Sequence, residues 1–138
     1  MHLIVCVDDR MGMTFGGRRQ SRDRVLCEDV LGDVRQRGAQ LYLSPYSAQL
    51  FDGMGAERLL CVSESYLTDA GETDFCFCER EAIASHAHRV SAVTVYRWNR
   101  HYPSDRKLDL DLSAYMLRET TEFAGSSHDM ITKEVYVK

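Results

Sequence analysis

Short apolar runs alternate with stretches of helical periodicity along the chain. Residues 3–7 are a continuous run of branched and other apolar side chains, which is typical of a strand buried on both faces of a sheet. A loop with three glycines follows. Apolar positions spaced by four and five residues between Val25 and Val34 then predict an amphipathic helix, with Ser21 as its N-cap and its end near Gly38. The chain therefore opens with a strand, a loop and a helix.

The remaining apolar runs predict more strands than helices. Strands are expected at residues 41–43, 59–62, 75–78 and 90–96, and short helical segments at residues 47–51 and 79–88. Residues 115–123 and 130–137 both favour extended structure, and turn-forming residues 124–127 separate them. The pattern predicts an α/β fold of three layers, with a mixed, mostly parallel sheet that ends in a C-terminal antiparallel hairpin.

Composition narrows the class of protein. The 138 residues are 44% hydrophobic and 28% charged, with a net charge of −4, which predicts one folded domain over residues 1–138. Such a chain is not expected to bind nucleic acid or to enter a membrane. The N-terminal apolar run meets Asp8 and Asp9 too early for a signal peptide, so we expect a cytoplasmic protein. The sequence does not determine whether the chain forms a homo-oligomer.

Cysteine and histidine residues offer the obvious candidates for metal binding. The five cysteines stand mostly in apolar runs, where we expect them to be reduced and packed. His86 and His88 form a His-x-His pair without the further ligands that a zinc site requires. His128 and Asp129 could orient each other for catalysis, but no nucleophile is identified by spacing. No metal is therefore expected.

The order of elements and several local strings resemble dihydrofolate reductase over nearly the whole chain. The first strand and the residues after it, 8–13, are similar to the family's opening strand and the loop over its substrate. Residues 21–25 are found where the family begins its first helix. Residues 94–96, 102–105 and 123–129, with Glu134 and Tyr136, are similar to its last strands and hairpin. The resemblance implies a dihydrofolate reductase-like fold.

Asp23 is the main candidate functional residue. The resemblance places it at the carboxylate that holds the pterin ring, where burial and a planar partner would support protonation. The alternative interpretation is that Asp23 stabilises the start of the helix through the helix dipole and binds no ligand. The resemblance also implies a ligand-binding site near Asp23, with Val5, Met13, Arg19 and Thr94 among its residues. A pocket formed by Asp23, the first strand and residues 11–15 is expected.

Four arginines lie around the start of the predicted helix. This cluster is the best candidate for binding an anion, and a solvated surface is the alternative. Its members are Arg18, Arg19, Arg22 and Arg24.

The positions that would bind NADPH depart from the family pattern. The arginine that contacts the cofactor phosphates is absent from residues 44–47, and residues 78–80 lack the paired glycines. The chain is also shorter than the family between Phe51 and Phe75. We therefore expect no cofactor and no NADPH-dependent reduction.

The resulting hypothesis is a protein that binds a small pterin- or nucleotide-like ligand near Asp23. The alternatives are a divergent enzyme, reductase or hydrolase, that uses the same cleft, and an interaction protein without a ligand.

Overall fold

The computed structural model describes all residues from Met1 to Lys138. Ten strands are present: β1 (His2–Val7), β2 (Gly12–Phe15), β3 (Arg18–Arg19), β4 (Leu41–Leu43), β5 (Leu60–Val62), β6 (Phe75–Phe77), β7 (Ala92–Arg97), β8 (Arg106–Lys107), β9 (Met116–Phe123) and β10 (Ile131–Val137). Three α-helices are present: α1 (Arg24–Arg37), α2 (Pro45–Ala48) and α3 (Tyr66–Asp69). Three 3₁₀ segments complete the elements: Gln49–Phe51, Ala84–Arg89 and Leu112–Ala114.

Seven strands form the main sheet, in the order β5-β4-β6-β1-β7-β10-β9. The first five strands of this order are parallel, and β10 and β9 add an antiparallel hairpin at one edge. The predicted α/β class, the mostly parallel sheet and the C-terminal hairpin are confirmed. Strand β1 lies at the centre, which explains why its sequence is a continuous apolar run.

Separate hydrophobic clusters cover the two faces of the main sheet. On one face, Leu26, Val30 and Val34 of α1 pack with Phe51 and Phe77. The other face is covered by α3, the Ala84–Arg89 segment, β2 and the loop before β9. The three predicted layers are present, although short turns and loops form much of the second covering layer. No helix is long and apolar enough to cross a membrane.

The loop after β1 contains structure that the sequence interpretation missed. Strands β2, β3 and β8 form a second, three-stranded antiparallel sheet, in the order β3-β2-β8. Gly16 and Gly17, both with positive φ, form the tight turn between β2 and β3. Because these strands are only two to four residues long, alternation of apolar residues could not identify them.

Candidate functional site

Asp23 is the N-cap of α1, two residues after Ser21, which was the predicted cap. Its backbone is extended, and its Oδ1 accepts hydrogen bonds from the backbone N–H groups of Val25 and Leu26, at 3.0 and 3.2 Å. Asp23 is 3% exposed. Helix α1 then ends as predicted at Gly38, whose left-handed conformation terminates the helix.

The same carboxylate also holds the turn between β9 and β10. Oδ1 accepts from Ser126 N at 3.0 Å, and Oδ2 accepts from Ser127 N at 2.8 Å. The Ser127 hydroxyl, 3.2 Å from Oδ2, donates to the backbone carbonyl oxygen of Arg22 at 2.6 Å. Gly125 allows the close approach, since a Cβ there would lie 2.3 Å from Asp23 Oδ2. Together with His128, five N–H donors surround Asp23, so none of its lone pairs is left for a ligand.

The electrostatics of Asp23 follow from these bonds. Burial by itself disfavours the ionised carboxylate, but hydrogen bonds from the backbone of Ser127 and Ser126 and from the His128 ring outweigh it. The pKa of Asp23 therefore lies well below its usual range. A carboxyl group that protonates a bound ring needs the opposite perturbation, a raised pKa.

His128 pairs with Asp23 rather than with its exposed neighbour Asp129. Its Nδ1 lies 3.1 Å from Asp23 Oδ2, and its Nε2 lies 3.1 Å from both Ser21 Oγ and Tyr102 Oη. The ring stacks on Trp98, with 4.5 Å between ring centroids. His128 is 5% exposed, so its orientation is fixed on every side.

A cleft of about 280 Å³ opens beside Asp23, between the start of α1, the segment after α2 and the β9–β10 turn. Arg22 and Arg24 supply two cations, and Leu50 and Met54 supply apolar surface. No residue of β1 or of residues 11–15 lines it, unlike the predicted pocket. The remaining lining residues are Asp23, Cys27, Asp52, Ser126 and Ser127.

The other predicted ligand-binding residues do not line this cleft. Val5 is fully buried in the cluster on the sheet face opposite α1, where Met13 packs as well. Thr94 lies on the α1 face, and its Oγ1 is 2.7 Å from Nε2 of His2. The structure thus distributes Val5, Met13 and Thr94 over both faces of the main sheet.

Arg19 is the fifth predicted residue and belongs to β3. Its side chain lies at the carboxyl ends of β4 and β6, where parallel sheets commonly bind ligands. Its Nε and Nη2 donate to the two oxygens of Glu79, at 2.8 and 3.0 Å. Ser47 Oγ donates to the same carboxylate at 2.7 Å. The Tyr46 ring lies between two guanidinium groups, 4.2 Å from Arg19 and 3.9 Å from Arg80. The sequence pattern did not identify Glu79 as the partner of Arg19.

The cysteines and the His-x-His pair do not form a site. No group of three His, Cys, Asp or Glu residues is arranged to hold a metal, and all five cysteines are free thiols. Burial raises the pKa of Cys76 and of Cys78 to about 12, and that of Cys27 to about 11. These thiols are therefore protonated and are poor nucleophiles.

Comparisons with known proteins support the fold and nothing finer. No family model and no curated protein sequence matches the chain. Among solved structures, it is similar to a dihydrofolate reductase from Enterococcus faecalis complexed with NADP(H) and RAB-propyl, with a TM-score of 0.59 and 11% sequence identity. The similarity covers 99% of this chain and 94% of that one. The chain therefore has a dihydrofolate reductase-like fold.

Proposed function

We propose that this chain, a protein with a dihydrofolate reductase-like fold, binds a small anionic molecule in the cleft beside Asp23 and does not reduce a substrate with NADPH. The observation that carries the proposal is the cleft itself, with Arg22 and Arg24 on one side and Leu50 and Met54 on the other. Its volume of about 280 Å³ is close to the lower end of ligand pockets, about 300 Å³.

The charges around the cleft favour an anion. Arg22 and Arg24 are both exposed, and the single salt bridge of either is a 4.0 Å contact of Arg24 with Glu28 on the surface. Such a contact leaves the guanidinium group available. Asp23 and Asp52 both line the cleft, but Asp23 is bonded to five N–H donors, so Asp52 is the carboxylate that opposes a bound anion most directly. A phosphate- or carboxylate-bearing ligand, such as a nucleotide-like molecule, suits this lining better than a pterin, which would need a free Asp23.

NADPH does not fit the residues at the carboxyl ends of β4 and β6. A cofactor phosphate needs positive charge or free N–H groups there, but the Glu79 carboxylate stands beside Ser47 at the start of α2. The Arg19 guanidinium donates through Nε and Nη2 to the two oxygens of Glu79, and Nη2 also donates to the Tyr46 carbonyl oxygen. Glu79 would therefore repel a cofactor phosphate at this position.

Phenyl phosphate and its uncharged counterpart benzyl alcohol test the binding site. We expect phenyl phosphate to shift the backbone amide NMR signals of Cys27, Leu50 and Ser126, and benzyl alcohol to leave them unchanged. Replacing Arg22 and Arg24 together with alanine should weaken binding at least about tenfold, since each charge-assisted hydrogen bond contributes about 1.5–3 kcal/mol. Arg100→Ala, at an exposed position after β7, is the matched control.

Two results would contradict the proposal. If the amide shifts map away from the cleft, or if they persist in the double variant, phenyl phosphate does not bind in the cleft. Micromolar affinity for NADPH, measured by calorimetry or by quenching of Trp98 fluorescence, would contradict the exclusion of the reductase. A chain that binds neither compound and elutes as a stable complex with a protein partner would instead support the interaction protein.

A further inference from the structure

Ser21, His128 and Asp23 form a continuous chain of hydrogen bonds. Ser21 Oγ lies 3.1 Å from His128 Nε2, and His128 Nδ1 lies 3.1 Å from Asp23 Oδ2. We propose that this chain is an acyl-transfer site that hydrolyses esters carrying an anionic group. Ser21 is the nucleophile, His128 is the general base and Asp23 is a positioning residue. The preference for an anionic substrate rests on the function proposed for the neighbouring cleft, but the triad itself does not.

The surroundings of His128 fix both its tautomer and its orientation. Asp23 is ionised and can only accept, so the imidazole carries its proton on Nδ1 and directs the Nε2 lone pair outward. Stacking on Trp98, with 24° between the ring planes, prevents rotation of the imidazole. Nε2 then faces two hydroxyl groups, those of Ser21 and Tyr102. A base held in one orientation by a buried carboxylate is the arrangement that activates a serine.

Donors for the developing oxyanion are present beside Ser21. The backbone N–H groups of Ser21 and Arg22 donate to no acceptor in the protein, because the segment between β3 and α1 belongs to no regular element. The N–H of the residue after the nucleophile is a common oxyanion donor. Ser21 is half-buried and therefore not closed off from solvent. Ser21 itself lines a small separate pocket with Gln20 and Trp98, whereas the next two residues, Arg22 and Asp23, line the cleft, so an anionic substrate would have to reach Ser21 from the adjoining cleft.

The reaction is a two-step acyl transfer to water. Ser21 Oγ bonds to the ester carbonyl carbon while its proton passes to His128 Nε2, and His128 returns that proton to the departing alcohol oxygen. Water then attacks the acyl-serine, gives a proton to the same nitrogen, and releases the carboxylic acid as Ser21 recovers its proton. No oxidation occurs, and water is the only co-substrate.

Two esters of equal length test the activity and its specificity. Mono(4-nitrophenyl) adipate carries a carboxylate where 4-nitrophenyl hexanoate carries a methyl group, and both release 4-nitrophenolate. We expect Ser21→Ala, which removes the nucleophile, to lower hydrolysis of either ester by at least about 10³-fold. Ser113→Ala, at an exposed serine bonded to Asp111, should leave the rate unchanged.

A fluorophosphonate reagent provides a second measurement that does not depend on turnover. The intact protein should gain the mass of one phosphonyl group, on the peptide that contains Ser21, and Ser21→Ala should gain none. Labelling spread over several serines, or a rate in Ser21→Ala within threefold of the unchanged protein, would overturn the proposal. The melting temperature of Ser21→Ala should match that of the unchanged protein, which shows that lost activity is not lost folding.

The esters also separate this proposal from the proposed function. Equal rates for the adipate and hexanoate esters, with Ser21 still labelled, would support the triad and contradict the anionic ligand. If phenyl phosphate binds in the cleft but the esters are not hydrolysed and the fluorophosphonate does not label Ser21, the binding function is supported and the triad is contradicted.

Discussion

Replacing Asp23 with asparagine should destabilise the protein far more than the loss of an ordinary helix cap. The asparagine oxygen can still accept from Val25 and Leu26, but its amide group would face Ser127 N–H, now 2.8 Å from Oδ2. A buried N–H left without an acceptor costs about 1–3 kcal/mol, and the lost charge-assisted bond from His128 adds about 1.5 kcal/mol. We expect the free energy of unfolding to fall by about 2.5–4.5 kcal/mol.

Urea denaturation followed by the fluorescence of Trp98, which stacks on His128, measures this change directly. The melting temperature should fall by about 8–16 °C. Asp111→Asn is the matched control, because Asp111 caps a 3₁₀ segment at an exposed position and its loss should cost about 1 kcal/mol or less. A loss for Asp23→Asn equal to that of the control would refute the reasoning, since Asp23 would then be only a helix cap.

The stability difference between the unchanged protein and Asp23→Asn should depend on pH in one direction. The pKa of Asp23 is lower in the folded than in the unfolded chain, so its contribution is present above the ordinary aspartate pKa of about 3.9 and is lost as the pH falls below it. The stability difference between the protein and Asp23→Asn should therefore shrink on acidification. A difference that is constant from neutral pH into this acidic range would contradict the depressed pKa.

Three further perturbations test other parts of the structure by the same unfolding measurement. Gly125→Ala should cost about 1–3 kcal/mol, because its Cβ would lie 2.3 Å from an Asp23 oxygen that cannot move aside; an unchanged stability would contradict that contact. Glu79→Gln should cost about 3–5 kcal/mol, since it leaves the Arg19 guanidinium unpaired, and a neutral effect would contradict the ion pair. Burial, with nearby Arg37 and Lys133, lowers the pKa of His2 to about 4, so stability should fall as the pH drops from about 6.5 to 4 by about 3 kcal/mol. His2→Gln should lack this decrease.

The elements of the main sheet were predictable because each is marked by a local signal. Branched apolar runs identify β1 and β7, and Gly38 marks the end of α1. The cap of α1 was placed at Ser21 because Ser and Asp are both good caps, and the choice depends on which side chain turns toward the helix N–H groups.

The candidate site was predictable only in part. Asp23 was singled out, but its partners Ser126, Ser127 and His128 lie more than one hundred positions away, and no sequence spacing links them. Ser21 was likewise named only as a cap. A pairing of this kind depends on which loops the sheet brings together, so the triad became visible only with the tertiary structure.

The position of β10 has a consequence for the order of folding. The last strand of the chain lies between β7 and β9, so the main sheet is complete only when the C-terminus has been added. Local contacts of Asp23 with Val25 and Leu26 can form early, whereas its bonds to the β9–β10 turn wait for this final insertion. Because long-range pairings close slowly, we expect substitutions in that turn mainly to accelerate unfolding and to leave the folding rate nearly unchanged.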